Sequence, residues 1–341
     1  MSRTDRPLRR IAVIGAGAWG TALAIAAARA GSEALLVPRS AEHARRIEAE
    51  RRNEARLPGI VLPDAVHAEA DPAAALAWAD AAALATPSQA MRASCARLAP
   101  VCPPDLPLAI CAKGVEAGSG LLMSEVVAEA LPGRPLAALS GPSFADEVAR
   151  DLPTAVVVAA RSRALAESVA RAFASARFRP YVSTDLLGVE IGGAAKNVVA
   201  IACGAAQGLG YGLNTRAALI TRGLAEIRAL GAAMGADPET LTGLSGLGDL
   251  TLTCSSEQSR NFAFGVALAR AAAEGRAAAP APGGPVVEGV VNARSVTALA
   301  RRHGVEMPIC EAVRAVVEGR ESLDSAILAL LARPLKAETA R

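Results

Sequence analysis

The amino-acid sequence predicts an α/β protein in two parts, a doubly wound, mostly parallel sheet followed by an all-helical region. Three observations support this fold class. A glycine-rich turn joins an apolar strand to an apolar helix near the N-terminus, strand and helix patterns alternate up to residue 183, and strand patterns disappear after Thr184. The 341 residues are enough for two separate cores.

The first predicted segment is a strand, a glycine turn and a helix. Residues 11–14 are apolar, Gly15, Gly17 and Gly20 form the pattern G-x-G-x-x-G, and residues 21–30 have the composition of a tightly packed helix. The first glycine permits a sharp turn, the second lets the backbone approach a pyrophosphate, and the third lets helix and strand pack closely. The helix N-terminus then faces an anion with free N–H groups. This order predicts a Rossmann-type dinucleotide-binding domain.

The residue after the second predicted strand, 33–37, indicates which dinucleotide is bound. A carboxylate at this point accepts a hydrogen bond from the 2′-hydroxyl of NAD, whereas an arginine suits the 2′-phosphate of NADP. The sequence has Arg39 here. We therefore expect NADP(H) or NAD(H) as cofactor, with NADP(H) favoured. The alternative is that Arg39 is a surface side chain at the start of the next helix, beside Arg45 and Arg46.

Strands and helices alternate through the rest of the first part. The further predicted strands are residues 66–70, 81–86, 106–112, 136–139, 154–160 and 180–183, and the helices are 41–52, a short one from Pro72, 121–131 and 163–174. Such alternation predicts a mostly parallel sheet with helices on both faces. Ligands of these sheets bind beyond the carboxyl ends of the strands. Residues 86–88, Lys113 and residues 141–143 are expected at that edge.

The second part contains only helical patterns. Helices are predicted at 188–208, 215–234, 260–274, 289–303, 309–318 and 322–332. Residues 275–285 form a low-complexity loop that is too poor in large apolar side chains to pack, and the last six residues are expected to fray. The predicted domains are therefore 1–183 for dinucleotide binding and 184–341 for substrate binding and catalysis.

Charge and hydropathy point to a small-molecule partner. Lys plus Arg (36) and Asp plus Glu (33) nearly cancel, so no strong field attracts nucleic acid or an anionic membrane. Asp80 interrupts the longest apolar run, at 73–85, and the basic residues 1–10 lead into a strand rather than into the apolar core of a signal peptide. We expect a cytoplasmic protein without membrane insertion.

Lysine is the informative residue type for catalysis. The chain has only three lysines, Lys113, Lys196 and Lys336, in a sequence that otherwise uses arginine for basic charge. Burial can lower the pKa of a lysine into the working range, whereas arginine stays protonated.

The three histidines have no metal-ligand spacing and make a histidine general base improbable. The cysteines lack C-x-x-C pairs, so we expect no disulfide framework and no metal site, and buried thiols at positions 95, 102, 111, 203, 254 and 310.

Two lysines and one carboxylate are the candidates for the reacting centre. Lys196 lies on a helix of small and apolar residues, a setting that lowers its pKa and favours general acid/base work. The alternative is a lysine that extends from a buried helix to the surface. Lys113 follows a strand directly and is expected to project over the sheet edge. Asp249 lies in an apolar stretch where a carboxylate needs a cation opposite, for which Lys196 is the candidate.

Two helix starts could bind the oxygen atoms of a substrate. The turn from Gly141 through Ser143 to Ala145 has free N–H groups. A further helix opens with Ser259, Arg260 and Asn261, which supply a cap, a guanidinium and an amide at one terminus. An ordinary capped helix is the alternative explanation of the second pattern.

These positions also carry a family resemblance. The chain resembles the bacterial type of NAD(P)-dependent glycerol-3-phosphate dehydrogenase, with matches in order over nearly its whole length. The matching segments are GAGAWGTALA from Gly15, AKG at Lys113, SGPSFA from Ser140, GGAAKNVVA from Gly192, TRGLAE from Thr221, GLGDLTLTC from Gly246, QSRN from Gln258, VVEG from Val286 and GVEMPI from Gly304.

The resemblance implies an enzyme that interconverts dihydroxyacetone phosphate and sn-glycerol 3-phosphate for phospholipid synthesis, in the cytoplasm and typically as a homodimer. It implies that Lys196 gives and takes the proton at the substrate oxygen. The residues that it assigns to the substrate are Lys113, Gly141, Ser143, Lys196, Asp249, Ser259, Arg260 and Asn261. The residues that it assigns to the cofactor, beside Gly15, Gly17 and Gly20, are Ala18, Trp19, Arg39, Lys113, Ala145, Arg260, Val286 and Glu288.

Two departures from the family pattern and two alternative functions belong to this interpretation. Residues 37–39 replace a segment that usually contains tryptophan, and residues 277–285 are unusually rich in proline and alanine.

A related β-hydroxyacid dehydrogenase would share the two-part fold and a catalytic lysine but would act on a carboxylate. A non-catalytic nucleotide-binding protein would keep the fold without the chemistry, although the complete set of candidate site residues argues against it.

Overall fold

The computed structural model describes residues 7–276 and 286–332, so most of the predicted loop at 275–285 and the C-terminal residues from 333 onward lie outside the described residues. Eight strands form one sheet. They are β1 (Arg10–Ile14), β2 (Glu33–Val37), β3 (Val66–Ala68), β4 (Ala81–Leu84), β5 (Leu108–Ile110), β6 (Leu136–Ser140), β7 (Thr154–Ala160) and β8 (Phe178–Ser183). Their order across the sheet is β3-β2-β1-β4-β5-β6-β7-β8, and every neighbouring pair except β6–β7 is parallel. The predicted mostly parallel, doubly wound sheet is confirmed.

Helices flank this sheet and make up the second part of the chain. Those of the sheet region are α1 (Ala18–Arg29), α2 (Ala41–Glu50), α3 (Pro72–Trp78), α4 (Met91–Leu98), α5 (Met123–Ala130), α6 (Ala145–Ala149) and α7 (Arg163–Phe173). Those that follow are α8 (Leu186–Gly208), α9 (Leu213–Met234), α10 (Pro238–Thr242), α11 (Asp249–Thr253), α12 (Arg260–Ala273), α13 (Glu288–Arg302), α14 (Pro308–Val317) and α15 (Leu323–Leu331). The described residues after Ser183 contain no strand, as predicted.

The glycine turn between β1 and α1 has the predicted geometry. Gly15 has a φ of +111°, a value that favours glycine, and its N–H donates to the carbonyl of Val37 at 3.0 Å. A Cβ on Gly20 would lie 1.9 Å from the carbonyl oxygen of Gly15, so only glycine lets helix and turn approach this closely. The helix begins at Ala18, three residues before the predicted start, so the last three residues of the glycine motif already belong to the helix.

Several short elements differ from their predicted extent. The predicted strand 106–112 is reduced to β5, three residues long, and the helices α4, α10 and α11 have no predicted counterpart, whereas α6 follows the predicted helix start at residues 141–145. The antiparallel β6–β7 pair arises because the connection through α6 returns the chain from the carboxyl edge of the sheet, whereas a parallel pair requires a crossover to the opposite edge. Short segments bury few side chains and therefore leave a weak periodic pattern.

The core has separate layers for the two parts of the chain. Apolar clusters cover both faces of the sheet, and a third cluster surrounds α8 in the helical part. By length and composition α8 could cross a membrane, but 89% of its most apolar stretch is buried inside the protein, as expected of a core helix. All six cysteines are buried free thiols, which confirms that prediction. The division of the chain into domains at residue 184 stays a prediction.

Candidate active site

Two lysines from different parts of the fold share one buried carboxylate. The Nζ of Lys196, on α8, lies 2.5 Å from Oδ1 of Asp249, at the start of α11, and the Nζ of Lys113, after β5, lies 2.7 Å from Oδ2. Asp249 is 1% exposed, and Lys196 is 7% exposed. The structure therefore joins the sheet edge and the helical part at one ion-pair cluster, and it places Lys196 opposite the predicted partner.

The protonation states of this cluster depend on burial and on the neighbouring charges. Burial lowers the pKa of Lys196 to about 8, although Asp249 acts in the opposite direction; Lys113 lowers it further. Burial alone would raise the pKa of Asp249, but the two lysines outweigh it and the pKa lies below its ordinary value. The site therefore combines a stable carboxylate with an amine that can exchange a proton near neutral pH.

Close packing of α8 brings the cluster together. A Cβ on Gly192 would lie 2.6 Å from the carbonyl oxygen of Ser245, and a Cβ on Gly193 would lie 3.3 Å from Cγ of Lys113. Residues 244–248 form one turn of π-helix directly before Asp249, and such turns occur frequently at functional sites. The small residues of α8 thus allow both Lys113 and the segment that carries Asp249 to contact the helix that carries Lys196.

Thr253 is a member of the site that the sequence interpretation missed. Its Oγ1 accepts a hydrogen bond from Nζ of Lys196 at 2.9 Å and donates to the backbone carbonyl of Asp249 at 2.6 Å. The available signal was its spacing, four residues after Asp249 on one apolar helix, which puts both side chains on the same face. Asp249 and Thr253 together fix the direction of the Lys196 amine.

The turn after β6 contributes a carbonyl oxygen to the same site. Nζ of Lys113 donates to the carbonyl of Gly141 at 2.9 Å, and Oγ of Ser143 donates to the same oxygen, also at 2.9 Å. Gly141 has a φ of +127°, and a Cβ there would contact Val156, so this turn requires glycine. The predicted residues Gly141 and Ser143 therefore lie beside Lys113 at the carboxyl edge of the sheet.

The start of α12 differs in detail from its predicted use. Oγ of Ser259 accepts from the amide of Phe262 and caps the helix, and Arg260 is exposed. The side chain of Asn261 is buried instead, and its Nδ2 donates to Oδ1 of Asn197 at 2.9 Å while its Oδ1 accepts from the amide of Gly289. Asn261 thus binds α12 to α8 and to α13, and Asn197, a second residue that was missed, is its partner.

The dinucleotide end of the sheet is open above the middle glycine. No atom lies within 4 Å of the position that a Cβ on Gly17 would occupy, and neither a side-chain cap nor an acidic residue covers the first turn of α1. Arg39 is exposed two residues beyond Val37, and Val37 pairs with Ile14 beside the turn. These features fit a bound pyrophosphate and a nearby 2′-substituent.

The remaining predicted cofactor residues lie on several elements. Ala18 and Trp19 begin α1, and Nε1 of Trp19 is buried without a hydrogen-bond partner among the described residues. Ala145 begins α6, and Val286 is 50% exposed just before α13. These four positions stay predictions as cofactor contacts.

Glu288 links the helical part to the sheet edge. Burial raises the pKa of Glu288, while Arg260 and a hydrogen bond from the backbone amide of Ser88 counteract the rise. Ser88 follows β4 at the carboxyl edge, within the predicted ligand-facing segment. Among residues 7–276 and 286–332, no cluster of three or more His, Cys, Asp or Glu side chains could hold a metal ion.

Comparisons with known proteins identify what this chain is similar to. Residues 10–166 match the family described as NAD-dependent glycerol-3-phosphate dehydrogenase N-terminus, and residues 185–328 match the corresponding C-terminus. A glycerol-3-phosphate dehydrogenase [NAD(P)+] of Rhodospirillum rubrum is 53% identical over 96% of this chain and 93% of the relative, and that of Brucella ovis is 50% identical over 96% and 99%. The crystal structure of the Coxiella burnetii glycerol-3-phosphate dehydrogenase superimposes with a TM-score of 0.88 at 38% identity, over 96% of this chain and 100% of that one.

Proposed function

Because this chain belongs to the NAD(P)-dependent glycerol-3-phosphate dehydrogenase family, we propose that it interconverts dihydroxyacetone phosphate and sn-glycerol 3-phosphate, with Lys196 as general acid/base. The single observation that carries the proposal is the buried Lys196–Asp249–Lys113 cluster at the carboxyl edge of the sheet. The bound nicotinamide would supply or accept the hydride, and the chain must supply the proton and the charge stabilisation.

Lys196 is suited to move the proton in either direction. In ketone reduction, the ammonium form gives a proton to the substrate oxygen; in alcohol oxidation, the neutral amine removes it. A pKa of about 8 keeps both forms accessible near neutral pH. Asp249 and Thr253 hold the amine in one direction, so the proton is presented at a defined position.

Lys113 stabilises the negative charge that develops on the substrate oxygen. Its ammonium is fixed before reaction by Asp249 and by the carbonyl of Gly141, so little reorganisation is needed when the charge appears. Both lysines remain attached to one carboxylate, which limits their mutual repulsion. The cluster therefore serves acid/base chemistry and electrostatic stabilisation at once.

The start of α12 is the proposed phosphate site. Ser259 caps the amide of Phe262, which leaves the first amides of the helix available to an anion, and Arg260 is exposed beside them. The buried Asn261 side chain supports this terminus through Asn197 and Gly289. In this role Asn261 would contact the substrate through its backbone amide.

The cofactor is held by the glycine turn in this proposal. The open space above Gly17 and the uncapped start of α1 fit the pyrophosphate, and Arg39 would lie beside the ribose 2′-position. The enzyme uses NAD(P), and NADP(H) is the proposed preference. We further propose a cytoplasmic homodimer that supplies sn-glycerol 3-phosphate for phospholipid synthesis.

Steady-state assays with both cofactors test this function. The purified protein should oxidise NADPH or NADH in the presence of dihydroxyacetone phosphate and reduce the oxidised cofactor with sn-glycerol 3-phosphate. Turnover confined to short 2- or 3-oxo acids would favour a β-hydroxyacid dehydrogenase. Cofactor binding without turnover on any of these substrates would favour a non-catalytic nucleotide-binding protein.

A further inference from the structure

A buried glutamate that the proposed mechanism does not use joins the helical part to the sheet part. Glu190, on α8, is 9% exposed. Its Oε1 accepts from the backbone amide of Ser124 on α5 at 2.7 Å, and its Oε2 accepts from Oγ of Ser124 at 2.5 Å. Both oxygens of one carboxylate therefore bind a single residue of the neighbouring layer, near the start of α5.

This contact lies on the helix that carries the reacting amine. Glu190 precedes Lys196 by six residues, or about 9 Å along an α-helix. Gly193, also buried, lies three residues from each of them along the helix, and a Cβ there would lie 3.0 Å from Oγ of Ser140 and 3.3 Å from Cγ of Lys113. A shift of this part of α8 would therefore displace Lys196 and press on Lys113 together.

A small cavity with a mixed polar and apolar lining adjoins the contact. Its volume is about 10 Å³, which admits about one water molecule, and Glu190, Ser140, Lys113 and Met123 are among the residues that line it. Oγ of Ser140 is buried and has no hydrogen-bond partner among the described residues. Glu190 and this unpaired hydroxyl therefore line the same cavity.

The carboxyl group can change its protonation state near neutral pH. Burial raises the pKa of Glu190 to about 7, against the two hydrogen bonds from Ser124, and Glu125 of α5 raises it as well. Lys113, after β5, lines the same cavity, whereas Lys196 and Asp249 do not, and the strands β6 and β7 have no titratable side chain. Protonation would remove acceptor capacity from the contact with Ser124.

We propose that Glu190 is a positioning residue, whose ionised carboxylate fastens α8 to α5 and thereby sets Lys196 in place against Lys113 and Asp249. This inference rests on the proposed function, because its effect is measured on the same reaction. In the ionised state the contact is complete and the cluster is aligned. When the carboxyl group is protonated, α8 is held less firmly and turnover falls.

The test compares Glu190→Gln with the wild type in dihydroxyacetone phosphate reduction between pH 6 and pH 9. Glutamine keeps the shape and can still pair with Ser124, but it cannot ionise. We expect kcat of the variant to be about three- to tenfold below wild type at pH 8 and to approach wild type at pH 6. The ratio of the two proteins cancels the titration of Lys196, which both contain. The KM for the cofactor should stay the same.

Ser124→Ala provides a second variant that keeps the carboxylate. Loss of one hydrogen-bond donor should raise the pKa of Glu190. As the pH is lowered from 8 to 6, kcat of the variant should therefore begin to decline at a higher pH than kcat of the wild type. This substitution removes only a hydroxyl from the first turn of α5, and it keeps the proposal testable if Glu190→Gln fails to fold. A ratio to wild type that stays constant from pH 6 to pH 9 for both variants would overturn the proposal.

Glu226→Gln is the matched control. Glu226, on α9, is also a buried carboxylate that accepts backbone amides at a helix start, from Ile309 at 2.7 Å and Cys310 at 3.2 Å. Its substitution should give a pH-independent ratio to wild type. A wild-type protein without turnover of dihydroxyacetone phosphate would refute the proposed function instead, whereas an active wild type with flat ratios would refute only the role of Glu190.

Discussion

At the scale of single residues, Lys196 and Arg39 are the positions where one functional group has the largest expected effect. Lys196 is buried, and its amine donates hydrogen bonds to Asp249 and Thr253, so its chemistry depends on these two partners. Arg39 is exposed at the protein surface. The first residue is therefore tested by turnover and pH, and the second by cofactor preference.

Lys196→Ala should lower kcat by about a hundredfold or more while leaving cofactor affinity nearly unchanged, because the proton donor is lost and the glycine turn is not. In the wild type, kcat/KM for ketone reduction should decrease above a pH of about 8, where the ammonium form is lost. The kcat/KM for alcohol oxidation should increase through the same pH range, where the neutral amine forms. Both profiles should lose this step in the variant. Wild-type turnover of Lys196→Ala would remove the residue from the mechanism.

Arg39→Asp should weaken NADPH binding relative to NADH, because a carboxylate repels the 2′-phosphate and accepts from the 2′-hydroxyl. The measurement is the ratio of kcat/KM for the two cofactors. Arg45→Asp, an exposed arginine on α2, makes the same charge change and should leave that ratio nearly unaltered. Equal ratios in wild type and Arg39→Asp would show that Arg39 does not contact the 2′-phosphate.

At the scale of elements, the glycines of the β1–α1 turn differ in whether close packing requires them. Gly20 fills a place where any side chain would collide with the backbone, whereas Gly17 faces open space and has a φ of −77° that alanine can adopt. The same motif therefore contains one glycine that the packing requires and one that it does not, and for the second we expect the cofactor to be the reason.

Gly20→Ala should destabilise the protein by about 1–3 kcal/mol or more, because its Cβ must displace the turn. Gly17→Ala should change the unfolding free energy by less than about 1 kcal/mol and yet weaken cofactor binding, because the methyl group occupies the space of the pyrophosphate. Urea denaturation and cofactor titration distinguish the two effects. Unchanged cofactor affinity in Gly17→Ala would contradict the placement of the pyrophosphate above this residue.

At the scale of the whole molecule, Asp249 couples the two parts of the chain. Its partners Lys113 and Lys196 belong to the sheet edge and to the helical part, and they are 136 and 53 residues distant in sequence. Removal of the carboxylate would leave two ammonium groups close together in a buried site. Besides its proposed catalytic role, the cluster therefore contributes to cohesion between the parts.

Asp249→Asn should lower the unfolding free energy by about 3–5 kcal/mol near neutral pH, because one partner of a buried ion-pair cluster is lost. The pKa of Asp249 is lowered in the folded state, so its contribution is fully present above the ordinary value of 3.8 and is lost as the pH falls through the folded pKa. The two proteins should therefore converge in acid. Asp146→Asn breaks an exposed pair with Arg150 and should leave the unfolding free energy nearly unchanged. An equally small loss for Asp249→Asn would contradict the coupling.

The sequence by itself determined the fold class and the glycine turn, and it singled out Lys196 as the candidate for acid/base catalysis. These depend on local rules: residues 11–14 and 33–37 form strands because they are apolar and bounded by turns, and the glycine spacing is fixed by backbone sterics. Long helices such as α8 and α12 were predictable for the same reason. The short helices α4, α10 and α11 were missed because a few residues provide too little periodicity.

Only the tertiary structure decided which side chains meet. It added Thr253 and Asn197 to the site, directed the Asn261 side chain inward, and joined Glu190 to Ser124 across the boundary between the two parts. Such contacts connect residues that are far apart in the chain, and the pattern of a single sequence does not show which distant residues lie close together in space. The residue types determine which side chains can form hydrogen bonds and ion pairs. The close packing of the glycine-rich α8 against its neighbours determines which of these contacts form.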